Sequence, residues 1–436
     1  MMHSATRVFS SLIILSMSLQ VRAADWPHWR GPLLNGSTEE QGLPDSWSPT
    51  DNIRWTASLP GPSAATPIIS GDKVFISSTV KGSPDLLALG FDARTGKELW
   101  RRKLGESTRQ VPRNTPATPS PATDGQRVCF LYGSGQLAGL DFEGNVLWQR
   151  NVETEYGNIS CKFGYGSSPL MHAGRLLVFI QRREKAWREP MNKEPLDSFL
   201  LAVNPVTGEN LWKHRRVTDA VDESLDSYAS PIAWENAGRA EILLTGGDCV
   251  TAHEPQTGRE LWRYGYATEK STRWRLIPSV VTGAGLVFGL QPRGENQLFA
   301  IKGGGSGTLS PEHVAWTFKG PTPDVSTPLY YRGNLYVLDG VERRTVVTCF
   351  EPQTGRVKWQ GKIGGNAPWR ASLTAADGKI YCVNEDAQAI VLAANDDELK
   401  ILSRIDMQDG PVQASIAIAD GHLFLRTAGT LFCIGK

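Results

Sequence analysis

Arginines, acids and aromatic residues recur at one kind of place in this chain, just ahead of Ser-Pro and Thr-Pro dipeptides or a lone serine in the same position. Arg113 and Asn114, Lys162 and Tyr165, Asp226 and Tyr228, Trp274 and Arg275, Asp324, and Trp369 with Arg370 all fall there. Guanidinium and ammonium groups hold anions, flat rings stack on flat or sugar rings, and amides fix orientation. Such a mixture around one opening suits small-molecule or peptide recognition. The competing explanation is that the arginines and acids neutralise one another across that opening. Covalent chemistry has less to stand on. The seven histidines are scattered, with no His-x-His or H-E-x-x-H spacing, and no C-x-x-C-H haem attachment exists. Gly303-Gly304-Gly305-Ser306-Gly307 lacks the Gly-Lys-Ser/Thr of a phosphate loop and reads as a flexible insertion.

A repeat must position these residues. Five segments end alike: FDARTGKELW (91–100), LDFEGNVLW (140–148), VNPVTGENLW (203–212), HEPQTGRELW (253–262) and FEPQTGRVKW (350–359). From Trp55 through Trp100, Trp148, Trp212, Trp262, Trp316 and Trp359 the steps are 45, 48, 64, 50, 54 and 43 residues. Each unit carries short strands of period-two alternation between glycine turns, and four antiparallel strands per unit make a propeller blade. The openings at Thr66, Thr118, Ser168, Ser230, Ser279, Thr327, Ser372 and Ser415 predict an all-β, eight-bladed propeller. Seven blades remain the alternative, because AANDDELKIL (393–402) puts aliphatic residues where the seventh indole belongs.

The last repeat stops after three strands, and NIRWTASL (52–59) offers the missing outer strand with Trp55 in place. Pairing the two ends removes the exposed edges. An indole buries roughly 150–250 Å², so the seven tryptophans are expected to be structural. Cys349 and Cys433 fall in a column held elsewhere by Gly90, Gly139, Ala202, Ala252 and Ala300, and the six cysteines read as buried thiols. The ring's innermost strand opens each blade, so the charged and aromatic loops named above gather over one channel mouth. Gln181–Ser198 is a long insertion whose Trp187 is a candidate partner contact or an edge-packing residue.

Residues 1–23 read as a cleaved signal peptide: Arg7, an apolar run from Val8 to Leu19 too short to span a bilayer, and Val21-Arg22-Ala23 at the cleavage site. Residues 24–51 form an N-terminal lead and 52–436 the propeller. No cysteine stands near the cleavage site to accept lipid, so a soluble, exported, periplasmic or extracellular monomer is expected. Removing Arg7 and Arg22 takes the formal charge from +1 to −1, which leaves no basic excess for nucleic acid. No integral membrane span is expected.

The TG-x-x-x-W phrases resemble the pyrroloquinoline-quinone (PQQ)-type repeat propellers, a superfamily that includes quinoprotein alcohol dehydrogenases and the propeller subunit of the outer-membrane barrel-assembly machinery. DWPHWRGPLLNGSTEEQGLPDSW (25–47) resembles the lead of exported planctomycete-type members. The enzyme branch implies a quinone with calcium, held beside an adjacent Cys-Cys pair, and this chain has no adjacent cysteines. The leading expectation is therefore a non-catalytic binding or scaffold propeller with no cofactor. The alternatives are a PQQ- and calcium-dependent alcohol or sugar dehydrogenase, with Trp274, Trp369 and the arginines on the quinone, and a carbohydrate-binding propeller. The ligand or partner, whether protein, small molecule or glycan, is left open.

Overall fold

The innermost hairpins of blades 3 to 8 show why the chain turns where it does. Ala173-Gly174, Ala237-Gly238, Ala284-Gly285, Arg332-Gly333, Asp377-Gly378 and Asp420-Gly421 all have both residues at positive φ, the geometry of the tight turn that matches strand twist. The computed structural model describes residues 25–183, 196–267, 272–291, 297–341 and 344–436. The signal segment, and Trp187 with most of its insertion, lie outside them.

The strands form eight sheets, each ordered from the channel outwards. Blade 1 comprises Ile68–Ser70, Lys73–Val80, Ser83–Asp92 and Glu98–Glu106. Blades 2 to 7 follow over 122–151, 170–215, 232–265, 281–319, 329–362 and 374–406, all antiparallel within the blade. The degenerate seventh repeat is a full four-stranded sheet, with Ser403 opposite Val391 where other blades set a tryptophan. Blade 8 takes Ala417–Ala419, His422–Arg426 and Thr430–Ile434 from the C-terminus and Ile53–Ser58 from the N-terminal side, pairing Trp55 with Cys433.

The tryptophan repeat has a mechanical reason. Trp100, Trp148, Trp212, Trp262, Trp316 and Trp359 stand opposite Gly90, Gly139, Ala202, Ala252, Ala300 and Cys349 in the ladder. A Cβ on Gly90 would lie 2.3 Å from the Trp100 ring. The column of small residues is thus the seat of each indole, and the six cysteines are all free and buried. The other face of the indole lies on the next blade. Cβ atoms on Gly96, Gly144, Gly208, Gly258 and Gly355 would come within 2.4–2.6 Å of Trp55, Trp100, Trp148, Trp212 and Trp316. These glycines also have φ between +71 and +79. Trp55, Trp100, Trp148, Trp316 and Trp359 donate Nε1–H to carbonyls of the following blade, at Ala93, Phe142, Pro205, Pro352 and Asn395.

Blade 5 lacks the TG turn, and Trp262 instead donates to Glu241 Oε2 within its own blade at 2.9 Å. The glycine-rich insertion is not loose there: Gly307–Thr308 pairs in parallel with Trp262 and Arg263 and gives blade 4 a fifth strand.

A second ring runs round the channel. The backbone N–H of each opening Ser or Thr donates to the hydroxyl of the next, in one direction through Thr66, Ser120, Ser168, Ser230, Ser279, Thr327, Ser372, Ser415 and back to Thr66, at 2.8–3.2 Å. The second member is Ser120 rather than the expected Thr118, whose hydroxyl bonds back to Thr115. TPSP offers two candidate openings, and only the serine stands two residues before its strand, as the others do.

Trp55→Ala should cost about 3–5 kcal/mol in urea unfolding, because it empties the closure between the last blade and the first. A loss below about 1 kcal/mol would show that strand pairing alone closes the ring.

Candidate functional site

The lead segment determines what kind of channel this is. Trp26 bridges to Ile69 and the Pro27 carbonyl accepts from Thr123 N–H, while His28 Nε2 lies 3.0 Å from the Met171 carbonyl. Ser37 bridges to Ala375, and Leu43 N–H donates to Asp377. The partners come from the innermost strands of blades 1, 2, 3 and 7 and the turn that follows. Most of them stand about three residues beyond the hydroxyl ring, so the lead crosses the channel deeper than that ring. Arg30 fastens it, wholly buried and donating to Leu373 O at 2.9 Å, Asn35 O at 2.8 Å and Pro328 O at 2.7 Å. Burial without a carboxylate pushes its guanidinium down to about 9. Gly36 leaves the room: a Cβ there would lie 2.2 Å from Arg30 Nη2. Further along, Trp47 sits against Tyr381 and donates to Met407 Sδ at 3.2 Å, in the cluster joining blades 7, 8 and 1. It fills the joint where the blade tryptophan is missing.

Above the lead lies a cavity of about 180 Å³. Its wall has a rule. The residue two places before each ring hydroxyl lines it: Ala64, Thr118, Gly166, Tyr228, Ile277, Val325, Arg370 and Gln413. Extended chain alternates faces, so residues at an odd offset tend to point away. Of the ten residues proposed for binding, Arg113, Asn114, Tyr228, Arg275, Asp324 and Arg370 line the cavity. Tyr165 and Trp369, each three places before a hydroxyl, are in the core, donating to Phe179 O and Gly364 O. Trp274 and Lys162 stand beside the cavity, Lys162 paired with Glu223 at 2.8 Å. The sequence reading missed Trp29 in the lead, Phe163, Gln413 and the hydroxyls themselves.

Charges at the mouth form two groups. Arg275, 6% exposed, holds Asp324 at 2.9 Å and Glu223 at 3.3 Å, and lies 4.9 Å over the Phe163 ring. Asp226 is buried beside it, gripped by Arg183 at 3.0 Å and by Lys162 N–H at 3.0 Å. The second group joins Arg370 to Glu385, and Gln413 Nε2 to Glu385 and to the Arg113 carbonyl. Arg113 is held at φ +69, outside the usual region for a side-chain-bearing residue, and its own side chain is exposed.

With this geometry in view, known proteins place the chain. The family model described as "Outer membrane protein assembly factor BamB" matches residues 46–186 and 250–400, well over half of the sequence. The chain belongs to that family of PQQ-like repeat propellers. It is 25% identical over 271 residues to a polyvinylalcohol dehydrogenase of Pseudomonas sp, a match covering 54% of this chain but only 40% of that protein. Similar folds include quinohemoprotein alcohol dehydrogenase from Comamonas testosteroni, at 13% identity and TM-score 0.66 over 95% of this chain and 81% of that one. A europium-containing methanol dehydrogenase gives 10% and 0.68 over 93% and 90%. BamB from Moraxella catarrhalis gives 12% and 0.59 over 88% and 99%. These likenesses show the fold.

Burial, partly offset by Arg183, raises the Asp226 carboxyl from its ordinary 3.8 to about 6. Folding therefore takes up a proton between those values: this contribution to stability is complete below about pH 4 and is lost as pH rises through about 6. Urea midpoints measured from pH 4 to 7 should fall through that window in the natural protein and lose that component in Asp226→Asn. An unchanged slope in the variant would mean that Asp226 is ionised throughout.

Proposed function

We propose that this chain is an exported binding propeller that takes a small molecule into a one-ended channel and performs no covalent chemistry of its own. One observation carries the reading: a lead segment crosses the channel at depth, so that residues from all eight blades converge on a cavity with a floor rather than on a through-pore. Aromatic walls (Trp29, Phe163, Tyr228) beside a few fixed polar groups are what small-ligand sites use. No helix among the described residues is long and apolar enough to cross a membrane. Export rests on the character of residues 1–23, and a protein partner on the rim is supported by the assembly-factor relative.

A quinone-dependent dehydrogenase is the second reading, favoured by the Pseudomonas relative. The cavity's arginines and aromatic rings suit a flat anion. Calcium, however, takes six to eight oxygen ligands. The carboxylate lining the cavity is that of Asp324, already on Arg275, and among the described residues no three His, Cys, Asp or Glu converge. These donors do not fit the metal that would accompany the quinone, and no catalytic step is assigned to them.

Native mass spectrometry of protein purified from its own host should show a retained small molecule. Gly166→Trp should abolish retention without unfolding the ring, since Gly166 lines the cavity between Thr118 and Tyr228, where a Cβ would meet side chains at 3.3 and 3.9 Å and no backbone. Oxidation of alcohols or sugars by the purified chain, once supplied with quinone and calcium, would overturn the non-catalytic reading.

A further inference from the structure

The ring of hydroxyls that helps close the propeller leaves a circle of O–H donors at the cavity. A hydroxyl has one donor and two acceptor sites. Each ring Oγ spends one of its two acceptor sites on its neighbour's backbone N–H, and none of the eight donates to another group among the described residues, so each keeps one donor and one acceptor site. Seven of them, all but Ser279, line the cavity. An O–H whose oxygen already accepts a hydrogen bond is the stronger donor.

Two further donors in the same wall lack an acceptor. Arg275 is 6% exposed, lines the cavity and has no partner for its Nε–H. Trp29 Nε1–H is buried without an acceptor. The Arg113 guanidinium at the mouth has no side-chain partner among the described residues. Three cations line the cavity: Arg275 is held by Asp324 and Glu223 and Arg370 by Glu385, which leaves Arg113 as the cation with no carboxylate on it among the described residues. Buried donors without acceptors are costly, and a charged acceptor makes the stronger hydrogen bond with them.

Resting on the reading of the channel as a ligand pocket, we infer that the hydroxyl collar and Arg275 together receive an oxyanion, so that the ligand enters with a carboxylate or phosphate group foremost. A carboxylate or phosphate oxygen accepts from each kind of donor in this wall: the ring hydroxyls, Arg275 Nε–H and Trp29 Nε1–H. The aromatic residues Phe163 and Tyr228 would flank whatever body the oxyanion carries.

Titration calorimetry at low salt with benzoate, benzamide and inorganic phosphate tests this. Benzoate and benzamide share a ring and differ in whether the polar head only accepts. Benzoate should bind at least tenfold more tightly than benzamide. Heat with phosphate as well would assign the site to a free inorganic oxyanion, and heat with benzoate alone to an organic carboxylate. Ser372→Ala should weaken the anion by about tenfold and Ser372→Thr should restore it. Should Ser372→Ala fail to fold, Arg113→Gln, an exposed change, should give a smaller loss for benzoate and none for benzamide. Equal binding of benzoate and benzamide, or no heat from either anion, overturns the inference. If native mass spectrometry then finds a neutral ligand, the pocket stands and the oxyanion alone falls; if it finds nothing retained, both fall.

Discussion

The contact on which the rest depends is an indole trapped between a glycine of the following blade and a small residue of its own. Trp100 shows both halves: Gly90 beneath it and Gly144 against it, each with no room for a Cβ. A sheet in a propeller has two faces to cover and one neighbour on each side, so an adhesive that works once must work at every joint. That requirement explains why glycine and tryptophan recur together at a fixed spacing. It also explains why the glycine sits at positive φ, where a turn needs it and a neighbouring ring needs its absence of side chain.

Where the contact is missing, the chain supplies substitutes, and these show that the joint must be filled whatever fills it. Blade 7 presents Ser403 in the tryptophan register, and Trp47 comes from the lead to occupy the cluster between blades 7, 8 and 1. Blade 5 presents no TG turn, and Trp262 is satisfied by Glu241 while a short strand from the glycine-rich insertion covers its edge. Both joints were visible as irregularities in the repeat. Their remedies were not, because each depends on residues brought from elsewhere in the chain.

The fold was legible because it is a local pattern repeated; the pocket was legible only in part because it is set by parity. Six of the residues read from the loops ahead of the openings line one cavity, yet Tyr165 and Trp369 are core residues while Gly166 and Arg370, one place further on, face the channel. An aromatic or charged type says that a residue could bind; an offset of two from the ring hydroxyl places it on the wall, whereas at an offset of three Asp324 lines the cavity and Tyr165 and Trp369 do not. With Ser120 in place of Thr118 the offset becomes regular in all eight blades. Trp29 and Arg30 escaped the sequence reading for a different reason: the partners that fasten Arg30, Pro328 and Leu373, are some 300 residues away or more, and no pattern within the lead announces a floor.

Closure and recognition are therefore not separate designs. The backbone N–H groups at the start of each blade face the axis, where no further strand exists to pair with them, and buried N–H groups must find acceptors. Serine or threonine in the next blade provides one, eight times over, and the circle fixes neighbouring blades at their narrowest approach. A hydroxyl used in this way still carries its proton. Satisfying the backbone by hydroxyls rather than by carbonyls thus brings hydrogen-bond donors to the axis of the molecule, and the lead segment keeps that axis from being a passage. The composition of the site follows from the way the ring is closed, before any particular loop residue is chosen.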